Sequence, residues 1–110
     1  MGGVKSGCYN RAAADRSGGM IEERTYIVSG RVHGVGFRWF VHDAARREGL
    51  SGFVRNLPDG CVEAVAEGDR EALERFEAAL WSGPRGARVD HVTRDIGPGG
   101  GRFMDFSIKG

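Results

Sequence analysis

Two stretches of this chain, 37–48 and 69–82, carry apolar residues three and four positions apart, and short runs of alternating apolar and polar residues surround each of them. A helix-period segment does not settle as a strand, nor a strand-period segment as a helix, so their order restricts the fold more than any composition value does. RTYIVSG at 24–30 is rich in β-branched and aromatic residues and reads as a first strand. From Phe37, the positions Phe37, Phe40, Val41, Ala44 and Ala45 form one face of a helix that Gly49 closes, with His42, Asp43, Arg46, Arg47 and Glu48 opposite. SGFVRN and CVEAVAEG flank LPDG and read as a hairpin, the second strand setting Val62, Ala64 and Ala66 against Glu63 and Glu67. Asp69 is positioned to cap a second helix with Leu73, Phe76 and Leu80 on its apolar face, Glu71 and Arg75 paired at four, and Gly83-Pro84 as its stop. Strands are expected at 87–95 and 103–108, the last with Met104, Phe106 and Ile108 on one face, joined through GPGGG.

The order strand, helix, strand, strand, helix, strand, strand is that of an α+β, ferredoxin-like split β-α-β sandwich, with two helices on one face of an antiparallel sheet and an added C-terminal strand. In that topology the first and second strands run parallel with the third between them, and two strand spacings separate their ends by about 10 Å. Gly30, the loop after it, the start of the first helix and Asn56 are thereby expected in one small region.

The chain suffices for one domain, over 20–110. Residues 1–19 have no apolar periodicity and read as a flexible extension, with Met20 a candidate natural start. The opening MGGVKS matches a myristoylation pattern at Gly2, with Cys8 conceivable as a second lipid site, but so short a pattern matches readily by chance. Lys plus Arg number 16 against 15 Asp plus Glu, a net charge of +1, which provides no general footprint for a nucleic-acid or membrane partner. Cys8 and Cys61 have no metal-ligand spacing, and neither a membrane span nor a signal-peptide core is visible, so a reduced, cytoplasmic protein is expected, and a monomer.

Any anion recognition must therefore be local, and GRVHGVGFRW at 30–39 is where it would lie. No Ser, Thr, Asp or Asn precedes Phe37 to satisfy the free amides of the first turn, and Arg38 places a cation near the positive end of the helix dipole. Both features are unfavourable alone. Both are relieved by an anion, because glycines let consecutive N–H groups converge and arginine adds a forked, permanently charged donor. The competing reading is a tight strand-to-helix connection with Arg38 solvated; the spacing is neither that of a dinucleotide fingerprint nor that of a Walker loop.

GRVHGVGFR at 30–38, followed by GFVRNLPDGCVEAVAEG at 52–68, resembles the acylphosphatase family, small hydrolases of the ferredoxin-like fold that cleave carboxyl-phosphate anhydrides. The resemblance covers roughly residues 24–110, and it implies that the amides of Val32, His33, Gly34, Val35, Gly36 and Phe37, together with Arg38, bind the substrate phosphate while Asn56 orients the attacking water. His33 stands where the family more often has glutamine.

The chemistry is compatible with so spare a site. Phosphoryl transfer needs positioned donors and an aligned nucleophile, and a carboxylate leaving group departs without a proton. Neither a general acid nor a metal or other cofactor is then required, and water is the expected nucleophile. A strand-end Asn is ordinarily a turn residue; placed beside the cradle, its neutral carboxamide can hold water without repelling an anionic substrate. His33, His42 and His91 are scattered over loop, helix and strand, Trp39 and Trp81 read as packing surface, and Cys61 as a buried or edge residue. Arg46 and Arg47 read as a solvated helix face, and Arg55 as a strand-face residue with weak phosphate steering open to it. Two other classes share the topology: an RNA-binding module, which would need aromatics where CVEAVAEG has none, and an accessory domain that keeps the cradle without turnover.

Overall fold

The computed structural model describes residues 21–109, so the expected extension over 1–19, the Gly2 pattern and Cys8 lie outside the described residues. The elements are β1 (Ile21–Arg31), α1 (Phe37–Arg47), β2 (Ser51–Asn56), β3 (Val62–Asp69), α2 (Arg70–Ser82), β4 (Arg88–Pro98) and β5 (Phe106–Lys109). They form one five-stranded sheet of order β4-β1-β3-β2-β5. The first four strands pair antiparallel, as the element order predicts, whereas β5 adds to the edge beside β2 in parallel, so the sheet is mixed.

Alternation along β1 decides which face the helices cover. Tyr26 and Val28 are fully buried, and with Val54, Val62, Ala64 and Ala66 they meet Phe37, Val41, Ala44 and Ala45 of α1 and Leu73, Phe76 and Leu80 of α2. Within this core the Tyr26 ring meets Phe76 edge-on at 5.7 Å, and its hydroxyl donates to the Leu73 carbonyl at 3.3 Å. Burying such side chains stabilises the sandwich by about 1.5–3 kcal/mol each.

The connection 99–105 departs most from the periodic reading. To carry the chain from β4 at one edge to β5 at the other, it passes the end of the sheet and is pinned on the way: Gly99 N–H donates to the Ile21 carbonyl at 3.2 Å, Arg102 pairs with Glu23 at 2.9 Å, and Phe103 meets Phe53 edge-on at 6.0 Å. Met104 therefore lies outside β5 and is 97% exposed, rather than sharing a face with Phe106 and Ile108. Glu67 is buried rather than solvated, because the same connection crosses it and the Gly101 N–H donates to its Oε2 at 2.7 Å.

Other differences are local. Arg75 reaches across to Glu48 at the end of α1, at 2.7 Å, in place of the expected pairing with Glu71. Asp69 occupies the cap position of α2 without a side-chain hydrogen bond to it. Trp39 and Trp81 sit off the apolar stripes and are largely exposed instead of packed, touching only the edges of His42 and His91 among aromatic neighbours of the described residues.

Candidate active site

Strand register brings the two halves of the expected site to one edge. Val62 of β3 pairs with Val28 on one side and with Asn56 on the other, so the last residue of β2 lies level with Val28, two spacings away, or about 10 Å. β1 then runs a few residues further, to a bulge at Ser29/Gly30, before the 32–36 loop turns into α1. Gly30 permits this close approach, since a Cβ there would overlap the Arg88 carbonyl oxygen of β4.

The loop is shaped by which side chains it buries. Val32 and Phe37 are 1% exposed and Val35 packs against the same core, which turns His33, Gly34, Gly36 and the intervening backbone outward. Gly34 and Gly36 both adopt a left-handed φ of 73°, a conformation that costs a residue with a Cβ roughly 1–2 kcal/mol. Gly36 is the cap residue of α1 and offers no side chain to the first turn, which also has no acidic residue. Among the described residues, no acceptor takes a hydrogen bond from the amides of residues 32–37. The result is a run of unpaired N–H groups in a largely exposed loop at the positive end of a helix, a setting suited to an oxyanion.

Arg38 lies in the first turn of α1, half-buried, and its Nη1 donates to the Lys109 carbonyl at 2.8 Å. That main-chain anchor fixes the guanidinium at the sheet edge where β1, β2 and β5 all end. Asn56, also half-buried, precedes a hairpin closed by Leu57 N–H to the Cys61 carbonyl at 2.8 Å and Gly60 N–H to the Leu57 carbonyl at 3.1 Å. Asp59 accepts from the Cys61 amide at 3.0 Å, and this bond holds its carboxyl below the usual range. Burial and the neighbouring Asp59 push the Cys61 thiol up, away from the reactive thiolate.

Comparison with known proteins identifies the family. The sequence profile of the acylphosphatase family matches residues 24–108. The chain belongs to the acylphosphatase family. It is 47% identical over 89 residues to an acylphosphatase of Koribacter versatilis, covering 81% of each chain, and 54% identical over 82 residues to one of Syntrophotalea carbinolica, covering 74% of this chain and 89% of that one. The crystal structure of acylphosphatase from Bacillus subtilis superposes with a TM-score of 0.77 at 39% identity, over 82% of this chain and 99% of that one. As an acylphosphatase, the protein hydrolyses acyl phosphates to carboxylate and inorganic phosphate.

The remaining candidates are dispersed in this acylphosphatase. His42 lies between Trp39 and Phe106, and His91 is exposed on β4 beside Trp81. Arg46 and Arg47 are exposed in the last turn of α1, where cations suit the dipole, and Arg55 pairs with Glu63 at 2.6 Å. Cys61 precedes β3 rather than beginning it, and is half-buried. The Lys109 carbonyl was not legible from sequence, because nothing in a short alternating strand states where its final residue lands.

Proposed function

We propose that the amides of Val32, His33, Gly34, Val35, Gly36 and Phe37, together with Arg38, hold the phosphoryl group of the acyl phosphate, and that the Asn56 carboxamide orients the attacking water. The observation that carries this reading is the run of unpaired amides over 32–37 that leads into an arginine anchored by main chain. The loop donors and guanidinium meet the charge on the non-bridging phosphoryl oxygens, which catalysis by electrostatic preorganisation requires. In this reading a water held by Asn56, whose strand ends two spacings from β1, approaches phosphorus from one side while the carboxylate leaves from the other. The new P–O bond forms as the bond to the acyl oxygen breaks, and the water's proton passes to solvent or to the phosphate product. The carboxylate leaves unprotonated, and Arg38 with the amides supplies the cationic environment without a metal.

The protein acts in this reading as a cytoplasmic monomer on free small acyl phosphates, and its near-balanced charge provides no general footprint for a nucleic-acid or membrane partner. No helix among the described residues is long and apolar enough to cross a membrane. Titrating inorganic phosphate into the labelled protein tests the binding half: amide resonances of residues 32–38 should shift together and saturably. Saturable shifts centred elsewhere on the sheet would remove the loop from the site.

A further inference from the structure

The Cys61 carbonyl accepts two hydrogen bonds that belong to different halves of the site. Leu57 N–H donates to it at 2.8 Å, closing the hairpin immediately after Asn56, and the His33 ring donates through Nε2 at 2.9 Å from the middle of the phosphate loop. A carbonyl has two lone-pair directions and can serve both donors at once. The ring proton must be on Nε2, a state available to one neutral tautomer and to the imidazolium alike. His33 is itself exposed, so this bond is not a by-product of core packing.

We propose that His33 is a positioning residue, which holds the phosphate loop in register with Asn56 through their shared acceptor, the Cys61 carbonyl. The inference rests on the assignment of Asn56 to the attacking water. On one side the chain runs from His33 through Val32 into the core, which anchors the loop. On the other it runs from the Cys61 carbonyl to Leu57 and so to the neighbouring Asn56. Loss of the bond leaves the amides and Arg38 in place to bind phosphate, but frees the loop to move relative to the strand end that holds the water. Attack needs both in alignment, so turnover depends on the bond more than phosphate binding does.

The test is a set of variants assayed for turnover of a simple acyl phosphate and, by calorimetry, for inorganic phosphate affinity. His33→Ala should lower kcat roughly tenfold, the order expected from one neutral hydrogen bond, with phosphate affinity nearly unchanged. His33→Gln should recover most of the loss, because its amide nitrogen lies as many bonds from Cα as Nε2 does; His33→Asn, one bond shorter, should not. In an Asn56→Ala background, His33→Ala should cost nothing further, since there is no aligned water left to misplace. Wild-type turnover in His33→Ala, a glutamine no better than alanine, or equal losses in affinity and turnover would each overturn the proposal. So would fully additive losses with Asn56→Ala, which would leave the Asn56 assignment standing. An Asn56→Ala protein with wild-type turnover would remove that assignment, and this proposal with it.

Discussion

Arg38 donates from Nη1 to the main-chain carbonyl of Lys109 at 2.8 Å, which joins the first turn of α1 to the end of the last strand. A side-chain acceptor could swing with the guanidinium; a carbonyl at the end of a paired strand cannot. With one donor held there, the guanidinium is tied to the end of β5, and its other N–H groups remain for an anion. Positioning thus comes from the same strand that makes the sheet mixed, since only a β5 running parallel to β2 ends at the edge where the 32–36 loop begins.

This arrangement predicts that charge alone will not replace Arg38. Arg38→Lys keeps the cation but cannot serve the Lys109 carbonyl and a phosphate oxygen as a fork, so both phosphate affinity and kcat should fall nearly as far as in Arg38→Ala. Calorimetry with inorganic phosphate beside turnover measures both. A lysine variant with near wild-type values would show that the fork is unimportant.

Asn56→Ala should separate the two steps. Its proposed partner is water, so phosphate affinity should remain close to wild type while kcat falls on the order of a hundredfold, which corresponds to about 3 kcal/mol of the barrier. Equal loss of affinity would make Asn56 a phosphate ligand instead. Thermal unfolding of the variant belongs beside the kinetics, because Asn56 is also the last residue of β2.

Turnover should be undiminished by excess chelator. In the proposed mechanism the guanidinium and loop amides meet the phosphoryl charge, and the carboxylate leaves without a Lewis acid. Activity lost on chelation and restored by a divalent ion would contradict the metal-free mechanism.

What the sequence made legible was whatever periodicity and order encode. Phe37, Val41 and Ala44 on one stripe, Leu73, Phe76 and Leu80 on another, and the LPDG hairpin all follow from local rules, and the element order then placed Gly30 and Asn56 at a common edge. The glycine loop was readable because its chemistry breaks local rules: an uncapped helix start with a cation inside it has a poor structural rationale. Partners distant in sequence were not readable. Glu67 alternates correctly for a solvated residue, and only the path of 99–105 buries it; Arg75 has Glu71 at the right interval, yet Glu48 is better placed. The Lys109 carbonyl and the Cys61 carbonyl are main-chain acceptors, which carry no residue-type signal at all.

Asp59 should make stability mildly pH-dependent. Its hydrogen bond from the Cys61 amide lowers the folded-state pKa, so its contribution is present above the unfolded value of about 4 and is lost as pH falls through the lower, folded value. Asp59→Asn should therefore be less stable than wild type at neutral pH, and the gap should close as pH drops below about 4. Urea unfolding at the two pH values measures it, and a gap that is the same at both would mean the carboxylate charge contributes nothing.

Gly36 and Gly30 should fail differently when given a Cβ. At Gly36 the added carbon meets no atom within 4 Å, so Gly36→Ala bears only the strain of a left-handed residue, roughly 1–2 kcal/mol. That strain is relieved by moving φ away from 73°, which rotates the adjoining peptide planes and so redirects the loop N–H groups. Phosphate affinity and turnover should then fall further than the small loss of stability suggests. At Gly30 the added carbon would overlap the Arg88 carbonyl oxygen, and backbone cannot step aside as a side-chain tip can. Gly30→Ala should disrupt the bulge and the β1–β4 pairing beyond it, lowering the urea midpoint well below that of Gly36→Ala. Urea unfolding of both proteins, with phosphate affinity measured for each that folds, decides the matter. A Gly36→Ala protein that loses stability but binds phosphate as wild type does would show that the amides of this loop are not the cradle.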